Sequence, residues 1–398
     1  MKLQSKVVHV GDRKRAGDHI PVTTPIYTAA SFFYDETELL DKVLGKEEEG
    51  FAYARYDNPT ASALEELVAS LESGAGALAC ASGMAAIHIA LSSALMDRRK
   101  HVVAASALYG ATTSMLTKVL EPFGVETTFV DICDENAVRN VIEKEKPGAV
   151  LMETVSNPLL RVGPLDRIAE VSRAAGAALI VDNTFATPMM VRPLELGANM
   201  VVHSATKYLS GHGDVLGGLL VADAEHLEPL RALSRTYGPV LGPFECYLTM
   251  RGVKTFAVRY ERQCQNTCRV ANWLATQPSV ERVNFLGDPQ HPDAENIQRL
   301  LPANLYGAML SFELKDAGRD QVFRFMDSLK MIVRATSLGD VHTMILYPAI
   351  SSHRDLAPKQ RERLGIRENL LRLSIGIEAA DDIIADLEQA FANSFAKA

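Results

Sequence analysis

From residue 60 onward the chain alternates between two hydrophobic periods. TASALEELVASLES carries apolar residues at helical spacing, ALACAS is a short β-like run, and GMAAIHIALSSALM returns to the helical period. The exchange then repeats. HVVAA (101–105), VETTFVD (125–131), AVLMET (149–154), ALIVDN (178–183) and MVVHS (200–204) read as strands, and ENAVRNVIEKE and DRIAEVSRAAG between them read as helices. Strands rich in Val, Leu and Ile without polar alternation are those buried on both faces. The pattern therefore predicts an α/β fold with a mostly parallel sheet covered by helices.

The two flanks read differently. Residues 1–59 hold prolines and aromatics (PVTTPIY, SFFYDE, FAYARYDNP) with little periodicity, which predicts an extended N-terminal arm lying on another surface. From 251 a long helix through FAVRYERQCQNTCRVANWLATQ precedes separated strands (AMLSFEL, LLRLSIGIE) and a closing helix AADDIIADLEQAFANS. The expected organisation is an arm at 1–59, an α/β domain at 60–250 and an α+β domain at 251–398. A chain of 398 residues exceeds what one hydrophobic core supports, which agrees with two domains.

Composition narrows the function. Hydrophobic residues at 47% and charged residues at 23% are globular proportions, and a net charge of −8 offers no basic field for nucleic acid or anionic lipid. No apolar run has membrane-spanning length, and the first residues lack the apolar stretch of a signal peptide, so a cytoplasmic protein is expected. Five scattered cysteines read as reduced thiols. Cys264 and Cys268 share a helix face, but further ligands for a metal are missing nearby, so packing is expected and no metal.

Gly74-Ala75-Gly76-Ala77-Leu78-Ala79 imitates a dinucleotide fingerprint, yet a helical pattern precedes it and a β-like run follows, the reverse of what that motif requires. The informative segment is MVVHSATKYLSGHGDVLGG. There an apolar strand runs into Ser204, Thr206 and Lys207 and then a glycine-rich turn, which suits a phosphate held beside an amine. Ser204-x-x-Lys207 as a serine nucleophile with a lysine base would need companion S-D-N and K-T-G motifs, and neither occurs. Asp182 closes the apolar strand ALIVDN. A carboxylate there could keep a pyridine nitrogen protonated, which a pyridoxal lysine needs. Gly83 and Met84 follow a strand and open a helix, where unpaired amides attract phosphate. Tyr109 follows HVVAA, where its ring either stacks on a planar cofactor or covers the core.

Together the segments YARYDNPT, ASGMAAI, LYGAT, ETVSNP, VDNTFATP, HSATKYLSGHGD, TSLGD and LRLSIGIE resemble, in order, the pyridoxal-phosphate-dependent transsulfuration enzymes of cysteine and methionine metabolism. That family includes methionine γ-lyase, cystathionine γ-lyase, cystathionine γ-synthase and the homoserine-ester sulfhydrylases. The resemblance implies the type I, aminotransferase-like fold with a seven-stranded central sheet, and a homotetramer of two active dimers. It implies pyridoxal 5′-phosphate as cofactor, with Lys207 as the Schiff-base lysine and proton carrier, Asp182 on the ring nitrogen and Tyr109 against the ring. Gly83, Met84, Ser204 and Thr206 would hold the phosphate, with Tyr53 and Arg55 reaching the phosphate of a neighbouring subunit. Arg372 would clamp the substrate carboxylate with help from Asn157 and Ser337.

Specificity is read from departures within the resemblance. Ala111 stands where methionine γ-lyases commonly have cysteine. Ser114 and Thr336 stand where cystathionine enzymes commonly carry Arg and Glu, so a small amino acid with an uncharged γ-substituent is the expected substrate. The expected activity is methionine γ-lyase-like elimination giving 2-oxobutanoate, ammonia and a thiol. The alternatives are γ-replacement, as in an O-acylhomoserine sulfhydrylase or cystathionine γ-synthase, and a non-catalytic protein that binds the cofactor.

Overall fold

The computed structural model describes residues 1–15, 18–351, 354 and 358–395. Residues 16 and 17 of the expected arm, and 352, 353, 355–357 and 396–398 of the expected C-terminal domain, lie outside the described residues. Seven strands form the central sheet: β1 (Gly76–Cys80), β2 (His101–Ala105), β3 (Glu126–Val130), β4 (Ala149–Glu153), β5 (Ala178–Asp182), β6 (Met200–Ser204) and β7 (Gly218–Ala222). Their spatial order is β1-β7-β6-β5-β4-β2-β3; β7 runs antiparallel to β1 and β6, and the remaining adjacent pairs are parallel. The parallel sheet expected from the apolar runs is present, and β1, β2, β4 and β7 are buried at every position. Edge strand β3 instead exposes Glu126 and Phe129, which explains its mixed composition.

Helices cover both faces, and their apolar residues build two clusters with the sheet between them. A second sheet holds β8 (Val280–Asn284), β9 (Met309–Leu314), β10 (Val333–Arg334), β11 (Met344–Leu346) and β12 (Leu370–Ser374), ordered β10-β11-β12-β9-β8 and mostly antiparallel. The long helix Phe256–Leu274 and the closing helix Ala380–Phe395 pack on it around a third cluster. The expected boundary at 250/251 falls inside the helix Pro243–Lys254.

The N-terminal segment is more ordered than its aperiodic sequence suggests. Leu3–His9 is a helix whose Leu3 and Val7 are buried against the helix Pro59–Glu72, and Thr37–Leu44 forms another. A seven-residue helix with two buried positions is too short to show a period, which is why the pattern hid it. Cys264 is buried and Cys268 half-buried, as packing residues are. Among the described residues no helix is long and apolar enough to cross a membrane.

Candidate active site

Parallel strands deliver their last residues to one edge of a sheet, and here those ends surround a cavity of about 450 Å³. β4 contributes Glu153, β5 contributes Asp182 and β6 contributes Ser204, with Thr206 and Lys207 on the turn that follows. That turn is pinned: the Lys207 amide donates to Ser204 O at 3.1 Å, and Thr206 Oγ1 accepts from the Gly217 amide at 3.0 Å. Ser82, Gly83 and Met84 close the adjoining side at the start of the helix Gly83–Leu95, where the Ser82 hydroxyl caps the Ala85 amide at 3.1 Å. A Cβ at Gly83 would lie 3.1 Å from Ser204 Cα, so glycine lets the helix start come close to the end of β6.

The opposite wall comes from the second sheet. Arg372 on β12 is buried; its Nη1 donates to Asn157 Oδ1 at 2.9 Å and its Nη2 to Ser337 O at 3.1 Å, while Nε has no partner. The Ser337 hydroxyl also accepts from Lys207 Nζ at 3.0 Å. Gly339 makes this approach possible, because at its φ of +74° the loop lies so close to Tyr208 N that a Cβ would sit 2.6 Å away.

Burial sets the electrostatics. Desolvation, and then the Arg372 charge, lower the Lys207 pKa to about 8. Desolvation lowers Arg372 to about 10. It raises Asp182, against hydrogen bonds from Thr184 that favour the charged form, the Thr184 amide donating to Oδ1 at 2.9 Å. Glu153 is pushed up to about 8 by burial and by the neighbouring Asp182 carboxylate. A lysine free to lose its proton near neutrality, beside a buried guanidinium and buried carboxyls, can bind an amino-acid carboxylate and move a proton.

Of the residues expected from the sequence, Gly83, Met84, Tyr109, Asn157, Asp182, Ser204, Thr206, Lys207, Thr336 and Arg372 all line the cavity, and Ser337 touches Lys207 and Arg372. Ala111 and Ser114 line an adjoining groove of about 940 Å³ that shares Met84, Tyr109 and Ser351 with the cavity. Tyr53 and Arg55 do not line their own chain's cavity. The Arg55 guanidinium lies 5.6 Å from the Tyr53 ring centroid and 4.8 Å from that of Tyr56, and it donates to Arg235 O. Four cavity-lining polar residues, Ser82, Glu153, Thr184 and Ser351, escaped the sequence reading. Thr184 sits in VDNTFATP and Glu153 in ETVSNP, both segments noted for other residues; Glu153 is identified as functional only by its register opposite Asp182.

The model of the family described as Cys/Met metabolism PLP-dependent enzyme matches residues 4–392. L-methionine gamma-lyase of Fusobacterium nucleatum subsp. polymorphum is 40% identical over 390 residues, covering 97% of each chain. Cystathionine beta-lyase MetC of Bacillus subtilis (strain 168) is also 40% identical, over 389 residues, covering 98% of this chain and 96% of that protein. Among solved structures, cystathionine gamma synthase from Xanthomonas oryzae pv. oryzae in complex with cystathionine superposes with a TM-score of 0.92 at 34% identity, covering 100% of this chain and 99% of that one. The strand-end aspartate, the lysine on the turn after β6, the buried arginine opposite them and the match along nearly the whole chain lead to one conclusion: this protein belongs to the Cys/Met metabolism PLP-dependent enzyme family.

Proposed function

We propose that the enzyme eliminates the γ-substituent of small, methionine-like amino acids, releasing a thiol, 2-oxobutanoate and ammonia. The observation that carries this reading is the contact between Lys207 Nζ and Ser337, beside a buried Arg372 guanidinium that, among the described residues, has no acidic partner and leaves Nε unpaired. An incoming carboxylate satisfies that arginine and brings the α carbon toward the lysine.

The residues also fit the family's cofactor. The start of the helix Gly83–Leu95, with Ser204 and Thr206 beside it, suits a phosphate; Asp182 suits a pyridine nitrogen; Lys207 suits covalent attachment. When bound, pyridoxal phosphate supplies a ring that accepts electrons from the substrate α carbon. The chain's own residues do the rest. Arg372, oriented by Asn157 and the Ser337 carbonyl, holds the substrate carboxylate. Asp182 would hold a proton on the ring nitrogen. Lys207, with its pKa near 8, takes the α proton and returns a proton elsewhere on the substrate. Tyr109, on the lining of the cavity, would stack on the ring, while Thr336 leaves the distal end uncharged.

In this reading Tyr53 and Arg55, turned away from their own cavity, complete a neighbour's phosphate site within a homotetramer of two active dimers. The enzyme works in the cytoplasm, which five free cysteines favour. The test is product analysis with methionine, O-acetylhomoserine, O-succinylhomoserine and cystathionine, with and without added thiol. Borohydride reduction followed by peptide mapping accompanies it. Expected are 2-oxobutanoate from methionine and a reduced adduct on Lys207; an adduct elsewhere, or thioether as the sole product, overturns the assignment.

A further inference from the structure

Glu153 is a buried carboxyl for which the reaction outlined above has no use. It is the last residue of β4 and the register partner of Asp182 on β5, so in this parallel pair both carboxyls face the same cavity. Among the described residues no lysine or arginine pairs with it in the way that Arg372 pairs with the Asn157 side chain. It meets backbone instead. The Tyr109 amide donates to Glu153 Oε1 at 2.6 Å, and the Asn157 backbone favours the charged form of the same carboxyl. Tyr109 and Asn157 belong to separate loops, one after β2 and one after β4.

We propose that Glu153 is a positioning residue whose carboxyl ties the Tyr109 turn to the Asn157 turn, so that the aromatic ring over the cavity and the orientation of the Arg372 clamp are set together. The chain of contacts is short. Glu153 stands at the end of β4, four residues before Asn157 in the loop that follows, the Asn157 side chain receives Arg372 Nη1 at 2.9 Å, and Arg372 awaits the substrate carboxylate. Two buried carboxyls on adjacent strands resist ionising together, and Asp182 has the hydrogen bonds from Thr184 to hold its charge. Glu153 therefore serves as a hydrogen-bond acceptor rather than as a charge. That separates reach from charge as experimental variables.

This inference rests on the reading of Arg372 as the carboxylate clamp, but not on which γ-substituent leaves. The experiment uses the holoenzyme and titrates the cofactor absorbance with L-alanine and glycine, neither of which has a γ-substituent to lose, giving a Kd that needs no turnover; cofactor content and Tm are recorded alongside. Glu153→Ala is expected to keep its cofactor content, to weaken Kd for both amino acids about tenfold, the scale of one buried hydrogen bond, and to lower kcat. Glu153→Gln, which keeps the acceptor without the charge, recovers most of that loss. Glu153→Asp keeps the carboxyl but falls one methylene short, and binds as weakly as the alanine variant. Adding Asn157→Ala to Glu153→Asp changes Kd by less than the product of the single effects, because one acts through the other. If aspartate outperforms glutamine, or the double variant is fully multiplicative, the proposal fails. Should Glu153→Ala not fold, the order of Gln and Asp still decides. Failure of methionine to yield 2-oxobutanoate, with the Kd series intact, would sink the proposed reaction and leave this inference standing.

Discussion

Lys207 and Arg372 converge on a single residue: the Ser337 hydroxyl accepts from Nζ at 3.0 Å and the Ser337 carbonyl accepts from Nη2 at 3.1 Å. Two cations held this close, in a buried pocket, each disfavour the protonation of the other. Burial accounts for most of the drop in the Lys207 pKa to about 8, and Arg372 adds to it. A lysine whose pKa is lower in the folded than in the unfolded state costs stability while it stays charged, and the cost disappears as pH rises toward the unfolded value. From 10.5 to about 8 the penalty is about 3 kcal/mol at most. In the cofactor-free protein, Lys207→Met should therefore raise Tm at pH 7. The gain should shrink between pH 8 and 10.5; a difference that stays constant across that window would mean that Lys207 is not the titrating group.

Asp182 is expected to act through charge, in contrast to Glu153 beside it. Asp182→Asn keeps the shape and the hydrogen bond from Thr184, yet a neutral amide cannot hold a proton on a ring nitrogen. Cofactor content should stay close to that of the parent while exchange of the substrate α proton with deuterium slows by roughly a hundredfold or more, the scale on which loss of a preorganised electrostatic partner acts. NMR of recovered substrate reads this directly. Near-normal exchange would reduce Asp182 to a structural cap.

How far such roles were legible in the sequence depends on what kind of information carries them. Strands β2, β4, β5 and β6 were legible because burial on both faces leaves an unbroken apolar run, and their ends named Asp182 and Ser204. β7 was not: GLLVA follows a glycine-rich turn, and nothing in so short a run says that it inserts antiparallel between β1 and β6. Glu153 was hidden for a similar reason, since the register that sets it opposite Asp182 is a relation between strands. Ser114 shows the limit on specificity. Its sequence position suggested the substrate's distal pocket, but the short helix Gly110–Ser114 turns it into the adjoining groove, while Thr336 lines the cavity.

Tyr53 and Arg55 give a prediction about assembly. In its own chain Arg55 is held by Arg235 O and by the Tyr53 and Tyr56 rings, outside the Lys207 cavity. If these residues complete a neighbour's site, Arg55→Ala and Lys207→Ala are each inactive alone, and mixed subunits regain activity because one hybrid site contains both native residues. Subunit exchange is verified by native mass spectrometry. No recovery after verified exchange would confine Arg55 to its own chain.

Substrate choice is the sharpest test, because relatives of equal identity differ in it: the Fusobacterium protein at 40% is a methionine gamma-lyase and the Bacillus protein at 40% a cystathionine beta-lyase. The cavity of this chain is lined by Leu338, Leu346 and Val155 as well as Thr336, and the charged residues of that lining are those assigned to the carboxylate, the ring and the lysine, together with Glu153. A distal carboxylate or ammonium entering there loses water without gaining a partner, which costs several kcal/mol when complete and roughly tenfold to a thousandfold in kcat/KM when partial. Methionine and O-acetylhomoserine should therefore outrun cystathionine and O-succinylhomoserine. Supplying the missing charge should narrow the gap: Thr336→Glu is expected to raise kcat/KM for cystathionine, whose distal end carries an ammonium, and to lower it for O-succinylhomoserine, whose distal end is an anion. The measurement is kcat/KM for all four substrates with both proteins. Cystathionine as the best substrate of the parent enzyme would refute the argument from a neutral pocket, and would move the distal binding site to the groove lined by Ala111 and Ser114, where the exposed Arg354 offers a cation.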